Sequence, residues 1–175
     1  MNTQEKAQAL SRLMDAYGDA LLRTCFMHLG DRQLAEDAVQ EAFLKAFVHL
    51  EDFRGESSEK TWLTRIAINT CRSMRRNAWF NLRRSELSDA LPAPTGADPA
   101  DAVDDTLVRA VSRLKPKYRE VIVLYYYQEM KTREVAQVLG IPERTVSSRL
   151  VRAREALRMT VKGGDFDEPQ RAGTN

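Results

Sequence analysis

The sequence is poor in the residues that build staples and metal cages. Its 175 residues include two cysteines and two histidines. Cys25 and Cys71 lie far apart with no C-x-x-C, which excludes a disulfide framework and gives no zinc-site spacing. They are expected to be buried or idle thiols. His28 and His49 likewise have no ligand spacing, so no metal and no cofactor is expected. No apolar run approaches the roughly 18 residues needed to cross a bilayer. The start, Met1-Asn2-Thr3-Gln4-Glu5-Lys6, holds no signal-peptide apolar segment. A cytoplasmic protein is the expectation. Strand-like alternation is almost absent, and three of the six prolines fall between residues 92 and 99.

A formal charge of +2 hides a strong segregation. Residues 1–52 sum to −4, 53–84 to +6, 85–106 to −6, 107–162 to +8 and 163–175 to −2. Segment 85–106 contains no basic residue at all. Two basic blocks separated by an acidic spacer have the pattern of two footprints on a polyanion. Two solvated helix faces would leave the same pattern, so charge alone does not decide.

Apolar residues recur at helical spacing through most of the chain, which predicts an all-α fold. The first helices are expected at about Gln4–Tyr17 and Asp19–Leu29, parted near Gly18 and closed by Gly30. Asp31 is placed to cap a helix running to about Leu50, and Ser58 to cap another reaching about Trp79. The stretch Leu91–Pro99 cannot sustain a helix and reads as an extended acidic linker. Helicity resumes near Asp101–Arg113. Pro116 then opens Lys117–Gln128, followed by Thr132–Leu139 and Pro142–Lys162. This divides the chain into a helical domain at 1–80, a flexible linker at 81–104, a second helical domain at 105–162 and a disordered tail at 163–175.

The strongest local motif spans Thr132 to Leu150. A short helix carries Val135, Ala136 and Leu139 on one face, and Gly140 stands where a sharp turn needs positive φ. A second helix buries Val146, Leu150, Ala153 and Leu157, spaced by 4, 3 and 4 residues. That combination is a helix-turn-helix. Its second helix would enter a major groove and present Arg144, Ser147, Ser148, Val151 and Arg152, flanked by Arg149 and Arg154. Arg and Ser suit base edges, Val a thymine methyl, and the flanking Arg side chains suit phosphates.

In the helix from Asp31, Val39, Phe43, Ala46 and Leu50 form the expected core face. Asp37, Gln40, Glu41 and Leu44 form a polar stripe with an apolar centre on the other side. Spacing alone favours an ordinary solvated face over a docking surface. The next helix carries Lys60, Trp62, Arg65, Asn69, Arg72, Arg75 and Arg76. An aromatic among guanidinium groups and an amide suits single-stranded DNA, although Trp62 suits a core position equally well. Phe53-Arg54-Gly55-Glu56-Ser57 is a small-residue loop able to approach a nucleotide closely.

The ordered set of pieces is specific. Asp37-Ala-Val-Gln40-Glu41-Ala-Phe43-Leu44 is followed by Phe53-Arg-Gly, then by Thr61-Trp62-Leu-Thr-Arg65-Ile-Ala-Ile-Asn69 and the acidic linker. Leu114-x-Pro116-x-Tyr118-Arg119 comes next, then the helix-turn-helix ending Arg149-Leu-x-Arg152-Ala-Arg154-Glu-Ala-Leu157. Over about residues 10–160 this closely resembles the extracytoplasmic-function (ECF) subfamily of sigma-70 RNA polymerase sigma factors.

The resemblance implies a sigma region 2 domain up to about residue 80 and a region 4 domain from about 105. It implies that Asp37, Gln40, Glu41 and Leu44 meet the clamp helices of the polymerase largest subunit, which reverses the reading from spacing. Phe53, Arg54, Lys60, Trp62, Arg65, Asn69, Arg72, Arg75 and Arg76 then serve the minus-10 element, with a flipped base held near Phe53. Thr132, Arg144, Ser147, Ser148, Arg149, Val151, Arg152 and Arg154 serve the minus-35 duplex, while region 4 also meets the polymerase flap. The acidic linker resembles the segment that threads the RNA exit channel. Implied partners are core RNA polymerase, promoter DNA in duplex and single-stranded form, and an anti-sigma factor, in some cases membrane-anchored; no small-molecule substrate is implied. Ser147 stands where many relatives place an Arg or Lys, so the preferred minus-35 bases do not carry over, and Val151 replaces larger side chains found in some relatives. The expected function is therefore a non-enzymatic promoter-specificity subunit for a stress or envelope regulon. A stand-alone duplex-binding regulator is the alternative, and a nucleic-acid enzyme a remote third.

Overall fold

The computed structural model describes residues 2–84 and 105–161, and every regular element among them is helical. Of the expected linker at 81–104, residues 81–84 instead continue the preceding helix, which no proline or glycine breaks there. Residues 85–104, which include 101–104 of the expected fifth helical segment, lie outside the described residues, as do Lys162 and the expected tail at 163–175.

Helix α1 spans Thr3–Leu29 without interruption, against the expected break near Gly18. A glycine inside a helix costs only about 1 kcal/mol relative to alanine. The buried stripe of Leu13, Leu21, Cys25 and His28 continues across it and outweighs that cost. Asn2 starts the helix with a reciprocal capping box to Glu5, and Gly30 ends it at φ 72°. Asp31 caps α2 (Arg32–Val48), accepting from the Leu34 amide at 2.8 Å. The helix gives way to a 3-10 turn at Leu50–Asp52, two residues before the expected end. Phe43 and Ala46 are buried as expected, but the face is centred on Ala35, Ala38, Ala42 and Ala46. Val39 and Leu50 are only partly buried. Four alanines let α1 and α2 approach closely. Ser58 caps α3 (Glu59–Arg84) through the Thr61 amide at 3.1 Å. This helix runs past the expected Trp79, because no proline or glycine interrupts Phe80–Arg84.

The second half comprises α4 (Asp105–Arg113), α5 (Pro116–Ile122), α6 (Thr132–Leu139) and α7 (Glu143–Val161). Pro116 stands in the first turn of α5, as its missing N–H requires. The expected helix to Gln128 instead widens into a π-helical turn at Val123–Tyr127. Gly140 takes φ 66° between α6 and α7.

Two cores result. Leu13, Leu21, Cys25, Phe43, Trp62, Leu63 and Cys71 belong to that of α1–α3. Val121, Leu124, Val135, Val138, Val146 and Leu150 belong to that of the second half. Each fully buried Val or Leu contributes about 1.5–3 kcal/mol. The two cysteines are buried in the first core, where hydrogen bonding to Cys71 and burial push the Cys25 thiol up. Ile68, although on α3, is buried in the second core, so the two halves pack against one another.

Candidate nucleic-acid interface

Helix α2 turns its alanine face inward and leaves Asp37 and Gln40 exposed, with Glu41 half-buried. Leu44 is 67% exposed at the centre of this stripe. Val48, one turn further on, is also 67% exposed and extends the apolar centre. Its position follows from the same helical arc, but the motif that singled out the other four stops at Leu44. Lys45 ties the stripe to α3, reaching Glu41 at 2.6 Å and the Thr70 hydroxyl at 3.1 Å. The exposed side of α2 thus combines polar residues with two large apolar side chains, Leu44 and Val48.

At the start of α3, Phe53 and Trp62 stack with ring centroids 5.0 Å apart. Trp62 is 8% exposed, so it belongs to the core, yet its edge lines a recess with Asp52, Phe53, Arg54, Glu56, Ser57 and Arg65. The recess holds about 310 Å³. The two readings of Trp62 are therefore compatible: it is buried in the domain core and also lines a recess whose charged residues are two arginines and two carboxylates. Gly55 at φ 71° forms the bend of its wall. Arg65, Asn69 and Arg76 are exposed along the adjoining side of α3.

Three other cations of the expected minus-10 set are placed differently. Lys60 donates to the Gln128 carbonyl at 2.5 Å, and Arg72 forms a two-pronged pair with Glu120 at 2.9 and 2.8 Å. Arg75 is half-buried near His28 and Arg119. These side chains point toward the second half of the molecule rather than along the open face. Burial opposes ionisation of Glu120, but the hydrogen bonds and charge of Arg72 outweigh it and hold the carboxyl below its ordinary range.

In the helix-turn-helix, Val146, Leu150 and Ala153 anchor α7 as expected, with Leu157 partly buried. Arg144, Ser147, Ser148, Val151 and Arg152 are exposed together, and Arg149 is half-buried. Thr132, at the start of α6, donates to Glu143 and so locks the first helix to the second. Arg154 is held by the π-helical turn: its Nε donates to the Tyr126 hydroxyl at 2.7 Å, and its guanidinium lies 5.6 Å from that ring centroid and 6.0 Å from that of Tyr125. The tyrosines were not singled out from sequence, since only the π-turn brings residues 125 and 126 beside residue 154.

Among the described residues, no helix is long and apolar enough to cross a membrane. Comparison with known proteins gives the same two parts. Residues 13–80 match the family described as Sigma-70 region 2, and residues 104–157 match Sigma-70, region 4. The chain is 34% identical over 167 residues to the ECF RNA polymerase sigma factor SigW of Bacillus subtilis, covering 88% of this chain and 89% of that one. It is 35% identical over 162 residues to the ECF RNA polymerase sigma factor SigL of Mycobacterium tuberculosis, covering 90% and 91%. Among solved structures, CnrH in complex with the cytosolic domain of CnrY superposes with a TM-score of 0.67 at 26% identity, over 91% of each chain. The sigma factor RpoE in complex with the anti-sigma factor NepR from Bartonella quintana shares the fold, with a TM-score of 0.77 at 24% identity over 89% of this chain and 98% of that one. With both sigma regions present in order and relatives matched over nearly their whole length, the chain belongs to the ECF sigma factors of the sigma-70 family and is an alternative sigma factor.

Proposed function

We propose that the two exposed surfaces divide promoter recognition between residues 1–84 and 105–162, with the acidic segment 85–104 joining them. The α2 face of Asp37, Gln40, Glu41 and Leu44, enlarged by Val48, docks on the clamp helices of core polymerase. The recess between Phe53 and Arg65 receives a base extruded from the minus-10 element, with Asn69 and Arg76 along the strand and Lys60, Arg72 and Arg75 on the flank. Helix α7 reads the minus-35 duplex through Arg144, Ser147, Ser148, Val151 and Arg152. Thr132 buttresses it, and Arg149 and Arg154 serve phosphates. The observation that carries this reading is a recess lined by Phe53, Arg54, Trp62 and Arg65, the last two on the same stretch of α3 as the exposed Asn69. Unpairing a base costs a few kcal/mol, and a pocket that stacks it offsets that cost.

In this reading the polymerase performs the chemistry and the chain is not an enzyme. It acts in the cytoplasm on a stress or envelope regulon, restrained by an anti-sigma factor that covers these same surfaces and is in some systems membrane-anchored. The complex of the sigma factor RpoE with the anti-sigma factor NepR, whose sigma chain shares this fold, supports that partner class. Run-off transcription with bacterial core polymerase on a randomised promoter library tests the whole reading, and the absence of any selected promoter sequence would overturn this division of labour between the surfaces.

Two substitutions separate the steps. Asn69→Ala is expected to lower open-complex formation by about fivefold, the equivalent of one hydrogen bond of about 1 kcal/mol, with little effect on recruitment. Permanganate footprints equal to those of the unmodified protein would remove Asn69 from melting. Arg152→Ala is expected to relax preference at one minus-35 base pair by about 1–3 kcal/mol. A loss spread evenly over all sequences would assign Arg152 to phosphate.

A further inference from the structure

The halves of the molecule meet along one side of α3 and along α1. Lys60, Thr64, Ile68 and Arg72 recur at four-residue intervals and so share a helix face. Ile68 is buried among the apolar residues of the second half, and Met27 of α1 packs against the same cluster. Polar groups also bridge the halves. Glu120, only 6% exposed, receives both prongs of Arg72. Gln128 donates to the Ala20 carbonyl at 2.8 Å and to the Thr24 hydroxyl, and its own carbonyl receives Lys60. Arg119 donates to the His28 carbonyl at 3.1 Å, and Arg23 to the Tyr127 hydroxyl at 3.3 Å. A junction that joins apolar packing at Ile68 and Met27 with this many hydrogen bonds has the mixed composition of an interface between domains.

Separation is a geometric necessity if the chain reads both promoter elements, the reading on which this inference rests. The nominal positions minus-35 and minus-10 differ by about 25 base pairs, about 85 Å along duplex DNA at 3.4 Å per pair. A compact chain of this length has a radius of gyration of about 16 Å and measures about 40 Å across. The packed form cannot place α7 on one element and the Trp62 recess on the other.

The masking is selective. Arg144, Ser147, Ser148, Val151 and Arg152 of α7 remain exposed, as do Arg65, Asn69 and Arg76 of α3. Arg72 and Lys60 are occupied. Glu120 engages Arg72 by the two-pronged geometry that a phosphate would adopt.

We propose that Glu120 is the latch of a closed resting state, a carboxylate that stands in for a DNA phosphate on Arg72 and holds the second half over the flank of α3 until polymerase separates them. Release then frees Arg72 and Lys60 for the strand and gives α7 its reach in one movement.

The test uses the full-length chain, with the distance between the halves followed by fluorescence transfer between dyes on α1 and α7. Binding to short randomised single-stranded DNA and to randomised duplex is measured in parallel. Glu120→Gln is expected to lengthen the distance and to tighten single-strand binding about tenfold, the gain when a competent form populated at one part in ten becomes dominant. Duplex binding should stay within twofold. Gln128→Ala, which leaves the ion pair intact but unties α1, should shift both readouts the same way, with melting curves confirming that each variant folds. The charge-swapped pair Arg72→Glu with Glu120→Arg should restore the short distance. If the unmodified chain drives promoter-dependent transcription with core polymerase while both single variants keep its distance and its single-strand affinity, the latch is refuted. If the variants open but no form supports transcription with core polymerase, the promoter reading fails and the latch stands as a conformational property.

Discussion

Replacing Asp37 and Gln40 together by alanine is expected to weaken binding to core RNA polymerase by about a thousandfold, with duplex binding through α7 unchanged. Both side chains are exposed on α2, beside Leu44 and Val48. Each is free of the intrahelical pair that engages Glu41 with Lys45. Central interface residues that cost about 2 kcal/mol each on truncation would together supply about 4 kcal/mol. Their exposure means the fold loses little: surface changes of this kind shift stability by about 0.5 kcal/mol or less. A competition titration against a second sigma factor reads the loss directly. An unchanged affinity would place polymerase docking elsewhere on the chain. Leu44→Asp provides an independent check, because an apolar contact at the centre of the stripe should be as sensitive as the polar pair around it.

The second large effect concerns acid. His28 is buried on α1 at the junction of the halves, its Nδ1 hydrogen-bonded to the Thr24 carbonyl and its Nε2 without a partner. Burial is the main cause that lowers its pKa from 6.5 to about 4, helped by Arg119 of α5 and Arg75 of α3 and opposed by Glu120 and the Thr24 carbonyl. A base whose folded pKa is depressed stabilises the fold fully above its unfolded value and loses that contribution as pH falls toward the folded one. Between pH 6.5 and about 4, His28 alone accounts for about 3 kcal/mol. Glu120 acts in the same direction, because its carboxyl is held below the ordinary range and must be protonated in acid. Urea midpoints should therefore fall steeply from pH 7 to pH 4.5, and His28→Leu should flatten most of that slope while changing the pH 7 midpoint little. Equal slopes in the two proteins would show that His28 is already solvated in the folded state.

Local patterns were legible wherever a single helix carries both its signal and its consequence. The cap at Asp31, the exposed polar stripe of α2, the turn at Gly140 and the buried series Val146, Leu150, Ala153 were all readable because helical period and side-chain chemistry act within a few residues. Gly18 misled for the opposite reason: its cost is local, whereas the apolar stripe that keeps α1 intact is closed by α2 and α3. The π-turn at Val123–Tyr127 was equally hidden, since its apolar run fits an ordinary helix, and only packing shows that Tyr126 must swing toward Arg154. Trp62 looked ambiguous because it is both core and pocket wall.

The amino-acid sequence by itself determined that this protein is helical, that its two basic blocks are separated by an acidic spacer, and that its motifs follow sigma-factor order, because each of these is written in composition and short-range spacing. Only the tertiary structure decided which polar side chains of α3 face outward. Arg65, Asn69, Arg72 and Arg76 recur at helical spacing on one helix, yet Arg72 is held by Glu120, 48 residues away in the chain, while the others stay exposed. A partner that distant is found by the packing of Ile68 into the second core, an energy term that no local pattern contains.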